Sequence, residues 1–159
     1  MGFVASYGPG DKVKFERANN GREYVTRVAI GFDDDVLSTV SVVSALSILG
    51  GGNYEFVFWI AEATDGVDRS HWNGAQTKLL LPDREARNLA LFAACGSVEV
   101  LLQDAKPDVI YQNTHGSYMP VTALVKHEML NDQFRKNGYV VDAPTERHGR
   151  LSWRMERVT

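Results

Sequence analysis

Lys106-Pro107-Asp108-Val109-Ile110-Tyr111-Gln112-Asn113 is the stretch on which the fold turns. Pro107 cannot continue a helix and the apolar run behind it is too short for one, so a helix ends here and a strand over 108–113 begins. Upstream, Pro82, Asp83 and Glu85 suit a first helical turn, and Ala86, Leu89, Ala93, Ser97 and Val100 recur at helical spacing through Asp104. The small residues from Ala93 to Ser97 let that helix lie close to a sheet. Downstream, a second helix is expected from about Pro120 to Asn137, carrying Val121, Leu124, Val125, Met129, Leu130 and Phe134, with Gly138 at the left-handed position that ends it. A closing hairpin follows. It runs from Tyr139 to Val141 and returns through Leu151, Trp153 and Met155, which alternate with Arg150, Ser152, Arg154 and Glu156.

Toward the N-terminus, Val13 and Phe15 share one face of a strand over 12–17, and Tyr24, Thr26, Val28, Ile30 and Phe32 share a face of the next. Asn19-Asn20-Gly21 between them marks a hairpin turn. The segment Val36 to Leu49 is ambiguous. Asp33-Asp34-Asp35 and Gly50-Gly51-Gly52 bracket it like helix signals, serines recur at 38, 41, 44 and 47, and its β-branched residues favour a strand. Tyr54 to Ala63 is apolar on both faces, as an interior strand requires. Asp65-Gly66 and Asn73-Gly74 then bracket an expected loop, and Gln76 to Leu81 reads as another strand.

These elements describe a single α+β domain over 1–159, with a mixed, mainly antiparallel sheet and two principal helices. At 159 residues and 44% hydrophobic, the chain is large enough to bury one substantial core. Its net charge of −3 hides only a mild asymmetry, acidic before Lys106 and slightly basic after it. Nucleic-acid binding is therefore not expected, since Arg150 and Arg154 alternate away from Trp153 rather than joining it in a basic, stacking face. The lone Cys95 falls in an apolar helical run, which points to a reducing, cytoplasmic setting and a structural thiol. No apolar run reads as a membrane span.

From Gln76 onward the expected order is strand, helix, strand, helix, strand, strand. The segment Phe134-Arg135-Lys136-Asn137-Gly138-Tyr139 resembles the aromatic-x-x-x-Gly-aromatic ending of the acyl-CoA N-acyltransferase superfamily, and Trp153-Arg154-Met155-Glu156-Arg157 looks like its closing strand. The resemblance covers the C-terminal half and implies an acetyl-CoA cleft between two strands that part. It also implies a glycine-rich turn whose amides hold the pyrophosphate at a helix start. Leu81-Pro82-Asp83-Arg84-Glu85-Ala86-Arg87-Asn88 stands there without a glycine, leaving Arg84, Arg87 and Asn88 as the cofactor-binding candidates. Phe134 occupies the place where the resemblance puts a tyrosine general acid, and it has no proton to give.

No catalytic set emerges from the residues themselves. His127 and Glu128 are adjacent, so they diverge around a helix and do not form a metal pair. A binding or assembly role on a degenerate acyltransferase-like scaffold, without a cofactor, is the leading expectation, with a protein partner or self-association implied. Its contact residues are Arg69, His71 and Trp72 in one loop, and Asn113, Thr114, His115 and Tyr118 in another. The alternative is an N-acyltransferase using acetyl-CoA.

Overall fold

The computed structural model describes residues 2–8, 11–35, 37–72, 74–114 and 121–158. Along the chain come β1 (Phe3–Ala5), β2 (Glu16–Asn19), β3 (Glu23–Asp33), β4 (Ser38–Gly50), β5 (Asn53–Thr64), β6 (Val67–His71), α1 (Gly74–Leu80), α2 (Arg84–Ala105), β7 (Val109–Asn113), α3 (Val121–Lys136), β8 (Tyr139–Val141), β9 (Thr145–Arg147) and β10 (Arg150–Arg157). The described strands join one sheet in the order β1-β3-β4-β5-β7-β10-β8, with β2 on β3, β6 on β5 and β9 on β10. Every described pair is antiparallel except β5 with β7. The class is the α+β one expected from the residues.

α2 shows how local chemistry sets an element. Asp83 stands before it as N-cap, its carboxylate accepting the Glu85 N–H, and Lys106 closes it in a left-handed conformation with its N–H on Leu102 O. Pro82 thus precedes the helix rather than opening it. Its buried residues are Ala86, Ala90, Ala93, Ala94, Ser97, Val98, Val100, Leu101 and Leu102, which include the expected Ala86, Ala93, Ser97 and Val100, while Leu89 is only partly buried. The short side chains of the alanines and Ser97 let α2 lie across β3 and β4. Leu130 and Phe134 anchor α3 beside it, and Phe134 meets Phe56 edge-on at 5.3 Å. The Tyr139 hydroxyl donates to Pro107 O, tying β8 to the loop that launches β7.

Three expectations are corrected. Gln76 to Leu81 is not a strand: α1 occupies Gly74–Leu80, Gln76 accepts the Trp72 N–H at its start, and Leu80 and Leu81 enter the core while Leu79 is exposed. Three successive leucines lack the alternation a half-buried strand needs. The segment Asp65–Gly74 is not a simple loop either. Asp65 and Gly66, at φ 51° and 79°, form the two-residue turn joining β5 to β6. The turn at Asn19-Asn20-Gly21 also differs, because the strands close at Asn19 with Tyr24 and four residues lie between.

The ambiguous segment is a strand from Ser38, with Val36 outside the described residues. A spacing of three in a structure of period two sends the serines alternately to opposite faces, so Ser38 and Ser44 face the helices while Ser41 and Ser47 face away. Ser44 pairs across the strands with Thr26, both are fully buried, and neither hydroxyl has a hydrogen-bond partner. A buried hydroxyl without a partner costs stability. Thr26→Val keeps the shape and removes the hydroxyl, so it should stabilise the fold by about 1 kcal/mol in urea unfolding. Ser44→Ala should act in the same direction, and a loss of stability in both variants would show that these hydroxyls are satisfied.

Candidate functional site

β5 changes partner along one edge. Asn53 to Phe56 pair in parallel with Val109 to Gln112, whereas Ile60 to Thr64 pair antiparallel with β6. Between them, Val57, Phe58 and Trp59 have no described partner strand on that side. β7 meanwhile stays with β10: Thr114 N–H donates to Leu151 O, and Leu151 N–H donates to Thr114 Oγ1. The sheet therefore opens where β7 leaves β5 and before β6 arrives. The chain toward α3 departs from this opening, and so does the chain entering α1.

Of the contact residues expected from the sequence, His71, Trp72, Asn113 and Thr114 stand at or just past the ends of the strands that border it, and several have structural work. Trp72 stacks on Trp59 with centroids 4.6 Å apart and remains 43% exposed, so half of the ring covers its neighbour and half faces outward. His71 Nε2 lies 3.5 Å from Glu62 Oε1, and Glu62 also accepts from the Ser38 hydroxyl. Arg69 is exposed and sits across from Glu62. Asn113 donates to Glu55 at 2.6 Å, and Thr114 is buried. His115 and Tyr118 lie outside the described residues.

The helices pack on one face of the sheet. On the other, Ser41, Val43, Ala45 and Ala61 are nearly inaccessible although no described helix covers them. The covering comes from curvature. Arg27 on β3 makes two hydrogen bonds of 3.1 and 3.2 Å to Asp68 on β6, with β4 and β5 between them in the sheet. Such a pair closes only if the strands roll into a trough, and the small residues beneath it permit that approach. The Arg27 hydrogen bonds hold the Asp68 carboxyl below its usual range.

On the helix face, a polar chain links β7 to α3 through a buried amide pair and ends at the surface. His127 Nδ1 is 2.8 Å from Gln112 Oε1, Gln112 donates to Asn131 Oδ1, and Asn131 donates to Glu128, which also receives Arg135. Because the Gln112 amide nitrogen is committed to Asn131, its oxygen faces His127 and requires Nδ1 to carry the proton. The His127 ring lies parallel on Trp153 at 5.2 Å. Among the described residues, no group of three His, Cys, Asp or Glu could hold a metal ion.

The cofactor candidates divide. Arg84 and Asn88 are exposed on α2, whereas Arg87 turns back and donates to Leu81 O and Pro82 O. Burial, then the charges of Arg87 and Lys78, hold the Lys126 ammonium below the usual lysine range. The charges of Lys78 on α1 and Arg87 on α2 thus act on Lys126 of α3, and among the described residues no carboxylate pairs with any of the three. Sequence reasoning missed Lys78 and Lys126, as well as Glu62 and Trp59. Nothing in their spacing marks them, because helix packing and strand register bring them together.

The Arg27–Asp68 bridge yields a test of the trough. Since the Asp68 carboxyl titrates lower in the folded chain than unfolded, its contribution is present above about pH 4 and fades as pH falls through the lowered value. Asp68→Asn should cost at most about 1 kcal/mol at neutral pH, because both partners are substantially exposed. It should also raise amide exchange in β6 and alter the fluorescence of the stacked tryptophans. Unchanged exchange in β6 would mean that the bridge does not hold the roll.

In comparisons with protein-family models, curated proteins and solved structures, none matches this chain.

Proposed function

We propose that this chain binds an acyl-CoA thioester at the opening between β5 and β7 and serves as an N-acyltransferase-like protein. The observation that carries the reading is the convergence of Lys78, Arg87 and Lys126 without a carboxylate partner. Like charges brought together raise each other's energy, and a polyanion such as the diphosphate of coenzyme A relieves it. The edge of Val57 to Trp59 away from β4, which has no partner strand among the described residues, adds a second support, since such an edge offers N–H and C=O groups to an amide-bearing ligand arm. β5, α2, β7, α3, β8 and β10 follow one another in the strand, helix, strand, helix, strand, strand sequence that the resemblance implies, but β6 and α1 are inserted after β5 and β9 between β8 and β10.

The fit to the cofactor is by side chains rather than by helix amides. Asp83 already caps α2, and Glu85 adds negative charge to its first turn, so the usual anion-holding amides are not offered. The cationic side chains take that role. A reducing, cytoplasmic setting suits the half-buried lone thiol of Cys95.

A second reading, binding or assembly without catalysis, is favoured by Phe134. It stands where the resemblance places a proton donor, is fully buried, and packs edge-on against Phe56 and Tyr139. Transfer activity therefore needs another proton path, while binding of the thioester does not.

Calorimetry with acetyl-CoA should give a Kd tighter than about 100 μM, about −5.5 kcal/mol. Lys126→Gln should weaken binding about tenfold and yet raise the melting temperature of the ligand-free chain, because it removes a charge that burial, and then Arg87 and Lys78, disfavour. The pH dependence follows: a lysine whose folded value is lowered destabilises the fold below that value, and the penalty shrinks as pH rises through it. No binding by the wild type at millimolar acetyl-CoA would leave the assembly reading in its place.

A further inference from the structure

A groove of about 1030 Å³ runs between the N-terminal segment and the outer side of α2 and α3, formed by different residues from the β5/β7 opening. Its apolar wall includes Phe3, Tyr7, Val13, Leu89, Phe92 and Met129. Phe92 is 64% exposed and Met129 46%, so large apolar side chains on two neighbouring helices face solvent. Scattered exposed residues need no explanation, but a shared lining in one concavity does. Among the described residues, the charged side chains that line the groove are Asp11, Asp83 and Glu85, and the cation Lys136 lies close enough to act on Cys95 of its lining.

Two of these carboxylates also shape their surroundings. Asp11 accepts the Gly8 N–H, and Asp83 accepts the Glu85 N–H. Each retains further lone pairs for an incoming cation, while Glu85 sits beside them on the first turn of α2. The result is an elongated apolar trough with an acidic end. A phosphate-bearing or acidic ligand would meet repulsion there.

We infer that this groove docks a cationic amphipathic helix of a partner protein, its apolar stripe lying on Phe92, Leu89 and Met129 and its lysine or arginine side chains reaching Asp11, Asp83 and Glu85. Two arguments select this occupant. The charge of the lining calls for a cation, and the volume lies at or beyond the upper end for small-molecule pockets, roughly 300–1,000 Å³. An apolar groove beside a helix is the surface into which the apolar face of another helix fits. A second copy of this chain is the rival occupant. It is the weaker match, because its basic strand β10 offers alternating arginines rather than a helical stripe.

The test uses a labelled, roughly fourteen-residue Leu/Lys amphipathic peptide, long enough to form a helix on a surface, with a Leu/Glu peptide of equal length as its counterpart. Fluorescence anisotropy should show micromolar binding of the Leu/Lys peptide and about tenfold weaker binding of the Leu/Glu one. Phe92→Ser and Glu85→Gln should each weaken the Leu/Lys peptide by about fivefold or more, while Glu146→Gln, on exposed β9 away from the groove, should leave it unchanged. Circular dichroism of each variant confirms that the fold persists. Equal binding of both peptides, or no effect of Phe92→Ser, overturns the inference. So does a concentration-dependent dimer in light scattering that Phe92→Ser abolishes, since a second copy would then fill the groove. Acetyl-CoA calorimetry on Phe92→Ser should be unaffected, which separates failure here from failure of the acyl-CoA reading.

Discussion

The edge of β5 that faces β7 cannot be satisfied by one neighbour, and much of the molecule follows from that constraint. A parallel partner must be reached by a crossover connection, because a tight turn joins only antiparallel strands. The chain from β5 to β7 accordingly passes through β6, α1 and α2 before β7 arrives. β6 takes the far part of the edge by a hairpin, and β7 takes the near part. Among the described residues, no strand pairs with the stretch between them on that side.

That division places side chains of very different character around one gap. On the trough side are the Trp59–Trp72 stack and the Arg27–Asp68 bridge, and on the helix side the Gln112–Asn131 chain leads inward from His127. Gln112 and Asn131 are nearly inaccessible and satisfy one another, so their burial specifies the register of α3 on the sheet. Thr26 and Ser44 lack such partners. Lys126 carries a cost of a related kind, since burial and then the charges of Arg87 and Lys78 disfavour its ammonium.

Legibility varied with the range of the interactions. The α2 and α3 helices, the Gly138 stop, and strands β5, β7 and β10 could be read because their signals are local: apolar spacing, caps, and Pro107. The segment Gln76 to Leu81 misled because a leucine run carries no period. β4 stayed ambiguous because serines spaced by three imitate a drifting helix face, whereas pairing with β3 and β5 on both edges decides for a strand. The candidate site was legible only in part. Trp72, His71, Asn113 and Arg87 could be named from type and position, but Glu62, Trp59, Lys78 and Lys126 become neighbours only through register and helix packing.

By itself, then, the sequence determined an α+β chain with two long helices, an apolar interior strand at Tyr54 to Ala63 and a closing antiparallel pair. Each of these rests on contacts between residues close in the chain. Tertiary structure alone decided that β5 is shared between β6 and β7, that four strands roll far enough for Arg27 to reach Asp68, and that three cations meet. Those outcomes depend on which strand lies beside which, and pairing of residues distant in the chain leaves no periodic trace in the order of the amino acids.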